Sequence, residues 1–180
     1  MRTYIVSVVA AVLGGCASVV PEAIRTAAPG NVQIAQVREQ PRQFRDTVVR
    51  WGGNIVSTRN ERDHTVLEII GRNLDDEGRP REEDRSLGRF LAKIAGFLDP
   101  AIYKPEREVT VRGHIEGVVE QAIGEYRYTY PLVRADDAYL WKPRPPLTPY
   151  PYHPYHYDPF FYDPWYPWGV PYYRPWPYWP

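Results

Sequence analysis

The composition of the chain breaks at Trp141. Beyond it, residues 143–180 hold 13 of the 20 prolines and four of the six tryptophans, with almost no aliphatic residues. Proline every two to five residues removes backbone donors and bars helix and internal strand pairing. The stretch predicts a disordered, low-complexity Pro/aromatic-rich C-terminal tail, extended and polyproline-like, with its rings projecting around it. A packed core has to come from upstream. The chain has one cysteine, so no internal disulfide is available and a hydrophobic core must hold the fold. Residues 31–142 remain for it, about 110 residues, an ordinary length for one domain.

The cysteine has a different use. Met1-Arg2 is a short basic start, Tyr4 to Leu13 is uncharged and almost wholly apolar, and Gly14-Gly15 precede Cys16. Basic start, short apolar core and small residues before a cut make a secretory signal. The apolar run is about half of the roughly 20 residues that a membrane-spanning helix needs. Leu13-Gly14-Gly15-Cys16 resembles a bacterial lipobox, in which the sulfur of Cys16 takes diacylglycerol. The freed amine then takes a further acyl chain such as palmitate. Two or more chains anchor stably where one does not. Ala17, rather than Asp, at the next position points to the outer membrane and a periplasm-facing location. Residues 1–15 are thus read as signal peptide, and 16–30, with Pro21 and Pro29, as a lipidated tether. Removing 1–15 takes one positive charge, Arg2, from a neutral chain, so phosphate-driven nucleic-acid binding has no support.

Within 31–142 the patterning is mainly β. Asn31 is placed to cap a short helix from Val32 to about Glu39, ended by Pro41. Thr47 to Ser57 is β-rich around Gly52-Gly53, a glycine pair that marks a bulge or sharp bend. Arg59 to Asp63 is a polar turn, and Thr65 to Ile70 returns as the second strand of a hairpin. Asn73 to Arg85 reads as an exposed loop. Leu87, Phe90, Leu91, Ile94, Phe97 and Leu98 lie at spacings 3, 4, 7, 10 and 11 from Leu87, which predicts one helix that plugs the core and stops at Asp99-Pro100. Glu108 to Glu116 alternates as a strand. Ala122 to Arg134 follows after a turn near Glu120-Gln121, and Ala138 to Trp141 is a short last strand. Five strands and one helix predict a small bent antiparallel sheet or a closed barrel.

Several short motifs fall in order across residues 16–142. They are the lipobox at Cys16, Trp51-Gly52-Gly53-x-Ile55, Gly88-Arg89-Phe90-Leu91, Gly96-Phe97-Leu98-Asp99-Pro100 and Val109-Thr110-Val111-x-Gly113. Ile123-Gly124-Glu125, Tyr130-Pro131 and Leu140-Trp141 complete the set. Together they resemble the Slp family of Gram-negative outer-membrane lipoproteins. The resemblance implies an outer-membrane lipoprotein with an OB-like barrel and no established catalytic residues. Three departures stand out. Glu106 stands before Arg107 where the family often has glycine. The tail 143–180 lies beyond the expected family domain. Two strands precede the predicted helix and three follow it, where an OB-fold has three and two.

Candidate sites are few. Tyr126, Tyr128 and Tyr130 share one strand face, where they either pack a sheet or stack on a sugar or peptide; packing is the preferred reading. His64 and His114 approach each other only if their strands are neighbours. Asp99, before proline, suits a turn or cap. Glu68 and Glu125 can be imagined as paired carboxylates, though nothing in their spacing demands it. In the tail, Tyr and Trp suit a membrane interface or a glycan such as peptidoglycan, and His153, His156 and Asp158 are weak metal candidates. GxSxG, HExxH and Gly-rich phosphate-loop patterns are absent from the sequence. The expected function is a non-enzymatic, structural or stress-linked role in the cell envelope without cofactor. The alternative is a ligand-binding module for glycan, peptide or hydrophobic molecules.

Overall fold

β-branched and aromatic residues around Trp51 form one long strand, β1 (Val48–Asn60), which turns at residues 61–63 into β2 (His64–Arg72), as the hairpin pattern predicts. The computed structural model describes residues 20–145 of the chain. Three further strands follow: β3 (Arg89–Ala95), β4 (Glu108–Ile123) and β5 (Tyr126–Leu140). They close into a barrel in the order β1-β2-β3-β5-β4, with β4 pairing back to β1. Every pairing is antiparallel except β3 with β5. Three strands thus precede the long connection 96–107 and two follow it, the arrangement of an OB-like barrel.

The predicted helix at Leu87–Leu98 does not exist; β3 occupies its place. Phe90 and Ala92 are buried inside the barrel with Ile94 against them, whereas Leu91 points outward and is buried there instead. Burial on both faces erases the alternation by which a strand is recognised, and the remaining spacing imitates a helix. Gly88 (φ 109°) and Gly96 (φ 82°) bound the strand in backbone conformations that suit glycine. Ser86, in the capping position of the absent helix, accepts the Gly88 N–H at 3.0 Å. Downstream, the expected turn at Glu120-Gln121 moves to Gly124-Glu125. Of the expected segment Ala122–Arg134, Ala122 and Ile123 end β4, while Tyr126–Arg134 joins Ala138–Leu140 in one strand, β5, with a register shift opposite Arg112/Gly113.

Two short helices precede the barrel: α1 (Glu22–Arg25) and α2 (Ile34–Glu39). α2 is the short helix expected there, but Asn31 does not cap it. Its first turn is closed by Gln36 Oε1, which accepts the Gln33 N–H at 2.8 Å. Ile34 and Val37, one turn apart, are buried in the barrel core and supply the plug expected of 87–98. Around them lie Val49, Trp51, Leu67, Ile69, Phe90 and Ile115. The Trp51 and Phe90 rings meet edge to face at 5.3 Å, and Trp51 Nε1 donates to the Val32 carbonyl at 2.8 Å. Each such large side chain contributes about 1.5–3 kcal/mol when removed from water.

The glycine pair has a sharper meaning than a bulge. Gly53 pairs with Gly71 of β2 and Val109 of β4 at once. A Cβ at Gly53 would lie 1.8 Å from the Ile70 carbonyl oxygen, while the register shift of β1 falls later, between Ile55 and Ser57. Because backbone cannot step aside as a side chain can, Gly53→Ala is expected to cost about 3 kcal/mol or more. Chemical denaturation followed by circular dichroism measures this, and a wild-type midpoint would refute it. Glu106 adopts φ 71°, a left-handed conformation that costs most residues about 1–2 kcal/mol. Its N–H donates to Ile55 O at 2.8 Å and its carbonyl accepts from Asn54 Nδ2 at 3.2 Å, which holds it there. Glu106→Gly is therefore expected to stabilise by about 0.5–1 kcal/mol, after allowance for the greater freedom of glycine when unfolded. A raised denaturation midpoint at unchanged slope is the expected reading.

Candidate functional site

Outward-facing residues of three strands meet on one side of the barrel. β2 contributes Val66 and Glu68, β3 contributes Arg89 and Leu91, and β5 contributes Tyr128, Tyr130 and Leu132. The strand period of two puts these on the outer face. Register then places Glu68 opposite Leu91, and Leu91 beside Leu132.

Glu68 is the hub. Its Oε1 accepts from Tyr130 Oη and from Arg89 Nη1, each at 2.8 Å, and its Oε2 accepts from Ser57 Oγ at 3.2 Å. The Arg89 N–H donates to Tyr128 Oη at 2.8 Å. The Tyr128 and Tyr130 rings pack edge to face at 4.7 Å, and the Arg38 guanidinium of α2 stacks 4.3 Å above Tyr128. Tyr130 is only 2% exposed. Burial, and then the adjoining Glu68 carboxylate, hold its hydroxyl above the ordinary tyrosine range. Burial pulls the Arg89 guanidinium down, but hydrogen bonds to Glu68 and Tyr130 outweigh it and the net direction is up.

The three tyrosines do share a face, but only two meet. Tyr126 sits at the tip of the β4–β5 hairpin, 67% exposed. Glu68 and Glu125 are not brought together: Glu68 lies mid-strand in β2, and Glu125 is exposed in the hairpin turn. His64 and His114 lie at opposite ends of the thirteen-residue β1, since His114 faces Val48 while His64 follows the turn after Asn60. Each has its own carboxylate: His64 Nδ1 is 2.6 Å from Asp63, and His114 Nδ1 is 2.8 Å from Asp136. The hydrogen bond and charge of His64 hold the Asp63 carboxyl below its usual range. Asp99 makes the expected turn, with its Oδ1 accepting the Ala101 N–H at 2.8 Å, although no helix ends there. Among the described residues, no group of three or more His, Cys, Asp or Glu is placed to hold a metal ion. Cys16, His153, His156 and Asp158 lie outside the described residues. Sequence reasoning misses Arg38, Glu68 and Arg89 as one group, though opposite charges at outward positions of β2 and β3 are a legible signal.

A second feature is a cleft of about 220 Å³ between the start of α2, β1 and the end of β2, lined by Gln33, Arg50, Trp51, Arg72 and Asn73 among others. Its cations are engaged by the chain itself. Arg50 Nη1 donates to the carbonyls of Ile24 (2.9 Å) and Arg25, and Arg72 donates to Asn54 Oδ1 at 3.3 Å and Glu83 O at 2.5 Å. Burial lowers the Arg50 guanidinium from its ordinary value; Asp75 opposes this and Arg112 adds to it.

A small closed barrel with a packed interior and an internally paired outer ledge defines the class: an OB-like domain. Comparison with known proteins gives the family. The model of the outer membrane lipoprotein Slp family matches residues 13–179. The chain is 34% identical over 133 residues to "Uncharacterized lipoprotein YeaY" of Escherichia coli (strain K12), covering 73% of this chain and 68% of that one. It is 30% identical over 131 residues to "Outer membrane protein Slp" of the same organism, covering 72% and 69%. An "Uncharacterized protein" of Haemophilus influenzae is 36% identical over 94 residues, covering 52% and 51%. The chain belongs to the Slp family of outer membrane lipoproteins. The family match runs to residue 179 and so takes in the proline-rich segment.

Tyr130→Phe is expected to cost about 1.5–3 kcal/mol, because it removes a hydrogen bond to a charged group. A tyrosine held above its unfolded value, about 10, contributes fully below that pH and loses its contribution as pH climbs through the folded value. Wild-type stability should therefore fall more steeply than that of Tyr130→Phe at alkaline pH. Parallel denaturation curves across that range would contradict the assignment.

Proposed function

We propose that this outer-membrane lipoprotein is anchored through an acylated Cys16 and serves a structural, stress-linked role in the cell envelope without catalysis. The observation that carries this reading is the filled barrel. Trp51, Phe90, Leu67 and Ile69 occupy the interior, where a ligand-carrying barrel of this size would need space. The ledge supports the same choice over the ligand-binding alternative. Tyr130 donates to Glu68, Tyr128 accepts from Arg89 and carries Arg38 on its ring, so these groups already serve contacts within the chain. A glycan-stacking site presents such rings to solvent.

The test is Cys16→Ser, followed by membrane fractionation and mass spectrometry. The wild-type protein should begin at Cys16, carry acyl mass and fractionate with the outer membrane; Cys16→Ser should leave that fraction. In a strain lacking the protein, wild type but not Cys16→Ser should then restore envelope integrity under stress. An unacylated protein that stays in the outer membrane would sink the anchoring claim.

A further inference from the structure

The described residues leave two large apolar side chains exposed on one loop: Phe97 at 73% and Ile102 at 53%. They lie in the connection 96–107 between β3 and β4, joined by a tight turn in which Asp99 O accepts the N–H groups of Ile102 (3.0 Å) and Tyr103 (2.9 Å). Exposed apolar residues paired in this way are not needed by the core, which Leu98 and Tyr103 of the same loop already join.

The loop is also fastened to the place where the anchor segment meets the barrel. Arg107 Nη1 donates to Ile102 O at 3.2 Å, and Arg107 Nη2 donates to Trp141 O at 2.9 Å. Trp141 in turn packs with Val20 and Ile24 in one buried cluster. Thus Ile102, Arg107, Trp141 and Val20 form a continuous chain of contacts. Val20 is four residues after Cys16. Four peptide units span at most about 14 Å, so an acylated Cys16 holds this end of the barrel against the bilayer surface. The exposed charges of the same region are balanced, Lys104 and Lys142 against Asp99 and Glu106, so the contact rests on the apolar side chains.

We propose that the 96–107 loop is a second, non-covalent membrane contact, with Phe97 and Ile102 inserted into the interfacial layer of the membrane that Cys16 is anchored in. Aromatic and aliphatic side chains partition into that layer. The loop then fixes how the barrel stands on the membrane. Its ledge of Tyr128 and Tyr130 belongs to strand β5 near the β4–β5 hairpin tip, at the opposite end of that strand from Trp141. This inference rests on the reading of Cys16 as the acylated residue.

Full-length acylated protein, reconstituted in vesicles of phosphatidylethanolamine and phosphatidylglycerol, tests it. Phe97→Cys, Ile102→Cys and Tyr126→Cys are each labelled with a polarity-sensitive fluorophore. Tyr126 is exposed to a similar degree, at the tip of the β4–β5 hairpin. Since acylation blocks the native sulfur, each added thiol is the reactive one. Positions 97 and 102 should show a severalfold rise in emission and quenching by spin-labelled lipid, while 126 stays water-like. Vesicle-bound protein in which 97 and 102 match 126, or in which 126 alone reports lipid, overturns the proposal and leaves the anchor intact. Protein that fails to float with vesicles and takes label at residue 16 overturns the anchor reading, and this contact with it.

Discussion

Closure of the barrel depends on how near two backbones come at Gly53. β1 is the strand that both begins and ends the ring, since it pairs with β2 along one edge and with β4 along the other. At Gly53 it does both at once, with the Ile70 carbonyl occupying the space where a side chain would begin. Gly113 solves the same problem on β4, where a Cβ would lie 2.0 Å from the Arg134 carbonyl oxygen. Sharp coiling of this kind lets five strands enclose a core narrow enough for side chains alone to fill. Trp51, two residues before Gly53, can then reach Phe90 across the interior.

The outer surface answers a different requirement. β3 and β5 run parallel and share only three registered pairs, Leu91–Leu132 to Lys93–Arg134. That is the shortest seam in the ring. The Glu68 hub lies across it, and ties β2 to β3 through Arg89 and to β5 through Tyr130. Partly buried charge of this sort is costly to break, because removing one partner strands the other. The tyrosines that invite a binding interpretation are explained first as the fastening of the weakest seam.

Much of this fold is legible in the chain alone, and the failures have specific causes. The β1–β2 hairpin can be read from its polar turn, and Glu108–Glu116 from the alternation of Val109, Val111 and Ile115 with polar residues. Leu91 breaks that rule. It is buried outside the barrel by Tyr130, a residue almost forty positions later, and no local window contains that information. The segment consequently imitates a helix. The chain does announce α2, but Asn31 adopts φ 42° and stands outside the turn that its residue type suits it to cap. The tyrosine face is visible from spacing two, whereas its partners Arg38, Glu68 and Arg89 come from three separate elements that only the folded chain brings together.

The cluster of Val20, Ile24 and Trp141 joins the first and last described parts of the chain. Arg50 and Arg112, on adjacent strands, hold the carbonyls of α1 in place beside it. Neither α1 nor the end of β5 can peel away without uncovering the other, so amide exchange at the two should be governed by one shared opening event. One tryptophan side chain thus couples α1 to the end of β5.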